Sequence, residues 1–160
     1  MRHLAPKAFV SLATAALAVL CVQPAWAMTP VSAAGSFFFT SAPTVTLLHS
    51  SEGNTLIRLD FPSAVITGDI AGTFAESLLI DTHPTGDQNV SGLATCACAV
   101  GGQSGTLFFD FVGTGTVGGG SDAQFVLSGD GGLAGLHGTG TAIVSPAFMG
   151  AYAADYHFGP

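Results

Sequence analysis

Charged residues make up only 8% of this chain, and that scarcity limits its fold more than any other feature. A surface helix needs a solvated face renewed at every turn, and 3 lysines and arginines with 10 carboxylates cannot supply one along the chain. The 22 glycines weaken helices further. What remains are short runs of Phe, Val, Ile, Leu and Thr punctuated by Gly, Pro, Asn, Asp and Ser, which is the composition of antiparallel hairpins.

The first residues follow a different pattern. Arg2 and Lys7 precede an uncharged apolar run from Ala8 to Val22, shorter than the roughly 20 residues a spanning helix needs. Ala25-Trp26-Ala27 then gives the small-x-small pattern of a signal peptidase site, so residues 1–27 read as a signal peptide cleaved after Ala27. A retained anchor helix is the alternative, and Leu20 argues against lipid attachment at Cys21. The reading divides the chain into that leader, a flexible N-terminal segment over residues 28–34, and one β-barrel domain over residues 35–160. The product is expected to be secreted or periplasmic.

After Ala27, Arg58 is the only lysine or arginine, set against all 10 carboxylates. So acidic a surface repels phosphate backbones and anionic lipid, which argues against nucleic-acid binding and against membrane docking once the leader is gone. With one such cation available, apolar burial must supply most of the stability.

The pattern gives about eight strands: Ser36 to Leu48 with a break at Pro43, Thr55 to Phe61, Ala64 to Thr73 running on towards Asp81, Gly92 to Val100, Thr106 to Val112, Ala123 to Leu127, Leu136 to Val144, and Ala151 to Phe158. Gly-rich turns at Pro84 to Asp87, Gly101-Gly102, Gly118 to Gly120 and Gly129 to Gly132 separate them. Pro62 and Pro146 lack a ladder donor, and each should mark a strand end or a bulge. One antiparallel layer leaves two open edges unless it closes, so a single all-β barrel is expected, with a β-sandwich as the other architecture.

Alternation assigns the faces. From Ile70 to Ile80 the apolar series Ile70, Gly72, Phe74, Glu76, Leu78 and Ile80 should face inwards, which places the Glu76 carboxyl among apolar neighbours. There its pKa should rise, and it could serve as an acid, a base or a polar anchor. From Thr106 to Val112 both faces are apolar, with Leu107, Phe109 and Phe111 on one and Phe108 and Val112 beside Asp110 on the other. Such a strand implies a homo-oligomer or a segment packed outside it. Phe74, Leu78, Phe109 and Phe111 are the expected lining of an apolar ligand site. On the last strand, Asp155 and His157 share one face and would form a proton-handling pair if that face is internal.

Cys96 and Cys98 leave four readings open: two buried reduced thiols, which is preferred, a strained disulfide, an intermolecular bridge, or a metal site, the weakest because no further ligand has suitable spacing. Gly113 to Gly118 fits the dinucleotide glycine pattern, but no helix follows to hold a pyrophosphate. No nucleophile elbow, zinc helix or calcium loop occurs, and no cofactor or metal is called for. Asn89-Val90-Ser91 matches a glycosylation sequon.

Gly68-Asp69-Ile70-Ala71-Gly72-Thr73, Ser104-Gly105-Thr106-Leu107, Gly132 to Gly138 and Asp155-Tyr156 together resemble a bacterial family of uncharacterised small proteins. Its members are barrels similar in fold to plant allene oxide cyclases and, more distantly, to dirigent proteins. The resemblance implies an eight-stranded antiparallel barrel with an apolar interior, often oligomeric, whose relatives steer a reactive apolar substrate mostly by shape. Cys96-Ala97-Cys98 and the missing arginine near Gly105 to Phe109 depart from the family pattern. Two functions follow as expectations. One is a barrel binding an apolar small molecule or a protein partner; the other is a cofactor-free isomerase or cyclase acting inside the barrel.

Overall fold

The computed structural model describes residues 29–159, so the expected signal peptide lies outside the described residues. Nine strands follow one another: β1 (Val31–Phe39), β2 (Thr44–Ser51), β3 (Asn54–Gly68), β4 (Ile70–Thr82), β5 (Asp87–Val100), β6 (Gln103–Thr116), β7 (Ser121–Asp130), β8 (Leu136–Val144) and β9 (Met149–Phe158). A single 3-10 turn, Gly131–Leu133, joins β7 to β8. All pairings are antiparallel, in the order β1-β9-β8-β7-β6-β5-β4-β3, and the ring closes where Gly35 to Phe39 of β1 pair with Gly68 to Ala64 of β3. The fold is therefore a closed eight-stranded barrel with β2 as one extra strand, not a sandwich. Closure removes the sheet edges that a charge-poor chain could not protect.

β1 and β2 behave as one strand interrupted just before Thr44, both lying along the same edge of β3. This is the break anticipated at Pro43. β2 carries the wall beyond the ring, pairing from Thr44↔Asp60 to Ser51↔Asn54.

The boundaries differ from expectation at two places. Residues 31–34, expected to be a flexible lead-in, belong to β1 and pair with β9 from Val31↔Tyr156 to Ala34↔Ala153. Pro62 marks a bulge, one of the two outcomes expected of it, so the division expected between Phe61 and Ala64 does not occur and β3 runs through. The division falls instead at Gly68-Asp69. Gly68 takes φ 109°, the Asp69 N–H donates to Ala34 O (3.1 Å), and Asp69 Oδ2 accepts from the Ala34 N–H (2.8 Å). A glycine at positive φ, with Asp69 pinned to Ala34 of β1 by both its N–H and its carboxylate, replaces the usual longer loop.

Cys96 and Cys98 form a disulfide with their Cα atoms 5.3 Å apart, which corrects the preferred reading of two reduced thiols. That separation is shorter than the roughly 6.6 Å two residues of an ideal extended strand would span. Both cysteines are buried in the core.

The interior is filled unevenly. At the end of the barrel that holds the Gly68-Asp69 turn, the Gly101-Gly102 turn and the 3-10 turn, Ile70, Val100, Leu107, Leu127, Leu133 and Leu136 are all at 1% exposure or less. At the opposite end, Phe37, Phe39, Phe109, Phe111 and Ala142 are only partly buried. Leu59, Phe61 and Leu78 form a second small cluster there, flanked by the partly buried Ile57, Ile80 and Val90.

Candidate functional site

The loosely filled end contains a partly open cavity of about 140 Å³. Phenylalanine is its commonest lining residue, and cross-strand pairing explains why the rings do not fill the centre. Phe111 faces Gly92, Phe125 faces Gly140 and Phe37 faces Gly150. In each pair a Cβ on the glycine would collide with the ring opposite, so the ring occupies the space over its glycine. Flattening against the wall in this way keeps the middle of the barrel open.

Glu76 lies on β4 between the interior-facing Phe74 and Leu78, with Phe61 across on β3 and Ala94 across on β5. Its carboxyl lines the cavity, and burial raises its pKa from 4.5 to about 7 with no hydrogen bond or charge contributing to the shift. At neutral pH the group is thus divided between a proton-donating acid and an unpaired carboxylate. Phe74, Leu78, Phe109 and Phe111, read from the sequence as lining, all border the same space.

Tyr152 also borders it, but its hydroxyl is committed. The oxygen accepts from the Ile70 N–H (2.9 Å) and lies within donating distance of Ile70 O (3.2 Å) and Thr67 O (3.3 Å). Burial raises its pKa, with the Ile70 hydrogen bond opposing the rise and the Asp69 charge adding to it. This tyrosine locks the β3–β4 turn to β9.

Phe148, in the connection between β8 and β9, sits at the mouth. It has φ 56°, unusual for a bulky side chain, is 45% exposed, and packs its ring 5.5 Å from Phe61 and 6.2 Å from Phe39. Neither its strained backbone nor its role as a wall has a sequence signal. Ala123, Ala142 and Tyr152 also went unassigned, although the alternation of β7 to β9 could have placed them inside.

Asp155 and His157 are not brought to this site. Both project from the outer face of β9, where Asp155 accepts from the Ser32 hydroxyl (2.6 Å) and His157 lies opposite His137, the ring centres 6.2 Å apart. Among the described residues no group of three or more His, Cys, Asp or Glu could hold a metal ion. No helix among them is long and apolar enough to cross a membrane.

A closed antiparallel barrel, packed solid at one end and hollow around a single carboxyl at the other, defines the class as a small β-barrel with an interior site. Residues 33–156 match the family described as "Protein of unknown function (DUF3224)", and the chain belongs to that family. A crystal structure of a DUF3224 protein of unknown function from Shewanella oneidensis MR-1 has the same fold, with a TM-score of 0.65 at 17% identity, covering 82% of this chain and 99% of that one. No curated protein matches the chain. The family agrees with the bacterial barrel family suggested by the turn motifs; nothing in these comparisons extends the relationship to the plant cyclases.

Proposed function

We propose that this protein is an exported barrel that binds a small apolar molecule in its interior cavity, with Glu76 as the polar anchor. The observation that carries the reading is a phenylalanine-lined space of about 140 Å³ with one unpartnered carboxyl in its wall. Apolar cavities of about 150 Å³ stay dry and take up benzene-sized guests. Export is supported by Arg2, Lys7, the apolar run to Val22 and the Ala25-Trp26-Ala27 site.

A second reading is a cofactor-free isomerase or cyclase, in line with the kinship to allene oxide cyclases that the sequence resemblance implies. It is favoured by the raised pKa of Glu76, which suits proton transfer near neutrality. Binding is preferred because, among the described residues, no second free acid or base faces the cavity. Asp155 and His157 lie outside, and the Tyr152 hydroxyl is held by the backbone.

Self-association belongs to the same proposal. Leu93, Phe108, Val112 and Val126 lie exposed together on the outer faces of β5, β6 and β7, around Asp110. A patch of this kind supports contact with a second barrel.

Benzene titration followed by methyl NMR tests the binding reading. Saturable shifts are expected in the wild type and their loss in Ala94→Leu, whose larger side chain projects into the cavity beside Glu76. No saturable binding by the folded wild-type protein would overturn it.

A further inference from the structure

The chemistry of the wall narrows the ligand class further, and the inference rests on the interior-cavity reading above. We propose that the cavity is built for a small hydrophobic amine, held as its ammonium by the Glu76 carboxylate and the faces of the surrounding phenylalanine rings.

Among the described residues no lysine, arginine or histidine borders the cavity, so a carboxylate or phosphate ligand would meet no counter-charge and would face Glu76 directly. The Tyr152 hydroxyl is engaged with Ile70 and Thr67, which removes the one neutral polar group deep in the wall. Ser121 is the remaining polar side chain, and it lies at the first residue of β7, near the mouth. A neutral hydrocarbon would fill the space but leave the part-buried Glu76 carboxyl without a partner, at a desolvation cost.

An ammonium answers both features of the wall. It supplies the charge-assisted donors that the carboxylate lacks, and the aromatic faces attract a cation through their ring quadrupoles. Phe61 across from Glu76 on β3, Phe74 beside it on β4, and Phe109 and Phe111 on β6 contribute such rings.

The field of the whole molecule points the same way. Arg58 is the only lysine or arginine among the described residues, and it lies on the outer face of β3, where its Nε is 3.1 Å from Asp60 Oδ2. The acidic surface therefore concentrates small cations at the barrel and repels anions. The cavity volume limits the guest to about one ring with a short side chain, or a branched aliphatic amine of similar bulk.

The groups that face Glu76 make the pH dependence simple. Its own strand presents Phe74 and Leu78, β3 presents Phe61, β5 presents Ala94, and β6 and β7 present Phe109, Phe111 and Phe125; the other ionisable group on the cavity wall is Tyr152. Amine affinity should then follow the ionisation of Glu76 alone, rising with pH through neutrality and flattening above it.

A matched series separates the possibilities: benzylamine, its neutral isosteres benzyl alcohol and ethylbenzene, and phenylacetate, titrated by NMR against the wild-type protein and Glu76→Gln. Benzylamine is expected to bind at least tenfold more tightly than benzyl alcohol, with phenylacetate weakest. Glu76→Gln should cut benzylamine affinity at least tenfold and leave ethylbenzene within about twofold. If ethylbenzene binds but benzylamine shows no advantage, or keeps it in Glu76→Gln, the amine assignment is overturned and the apolar cavity stands. If no member of the series binds the folded wild-type protein, the cavity reading falls and takes this inference with it.

Discussion

At the scale of the residue, Glu76 ties stability to pH in an unusual direction. Below about pH 4.5 the group is protonated in both the folded and unfolded chain. As pH rises, the unfolded chain releases its proton first, because the folded-state pKa lies near 7. Stability contributed by the protonated form is therefore lost between these two values, by about 3 kcal/mol in all. Urea midpoints should show Glu76→Gln close to wild type near about pH 5 and clearly more stable near about pH 8. Equal midpoints at the higher pH would mean that the carboxyl is solvated. Tyr152 makes the opposite kind of contribution. Tyr152→Phe leaves the Ile70 N–H without the hydroxyl that it meets in a buried site, and denaturation should register a loss of about 1–3 kcal/mol. A wild-type midpoint in that variant would show the clamp to be idle.

At the scale of the element, the cavity depends on rings paired with glycines. Gly140→Ala puts a methyl where the ring of Phe125 lies and against the backbone oxygen of Ala153. Overpacking of this sort costs about 1–3 kcal/mol, and the displaced ring should also weaken benzene binding. Undiminished stability and affinity in the Gly140→Ala variant would refute the explanation. This scale also shows how much the sequence disclosed. The inward face of Ile70 to Ile80 was legible because, apart from Gly72 and Leu79, bulky residues alternate there with small ones, so Glu76 could be placed inside from the pattern alone. The β3–β4 turn was not legible: Ala64 to Thr73 reads as one continuous strand, and only the positive φ of Gly68, with Asp69 tied to Ala34 of β1, marks the turn. Pro62 was legible as a strand end or a bulge, but not as which of the two; the bulge joins what reads as two strands, ending at Phe61 and starting at Ala64, into one. The Cys96–Cys98 bond was obscured because their Cα separation falls short of the ideal strand value, and spacing in sequence does not report that shortening.

At the scale of the whole molecule, poverty in charge accounts for the architecture and for its least protected surface. A chain with so few ions gains most by closing its sheet, and the barrel does so, but the outer faces of β5 to β7 still expose Leu93, Phe108, Val112 and Val126. If that patch joins two barrels, sedimentation should show an assembly that Phe108→Ser together with Val112→Ser disperses to monomers; a monomeric wild-type protein would contradict it. The concentration of tight packing at one end, marked by Leu133 and Leu136, leaves the other end free to be hollow. Sequence composition foretold a greasy interior but not its division into halves, which depends on where the glycine partners of Phe37, Phe111 and Phe125 fall in register. The most direct test of that division is methyl NMR under xenon pressure. Saturable shifts should appear at Leu59, Leu78, Ala94 and Ala142 while Val100, Leu133 and Leu136 stay still; shifts absent from the first group, or as large in the second, would contradict a barrel that is solid at one end and open at the other.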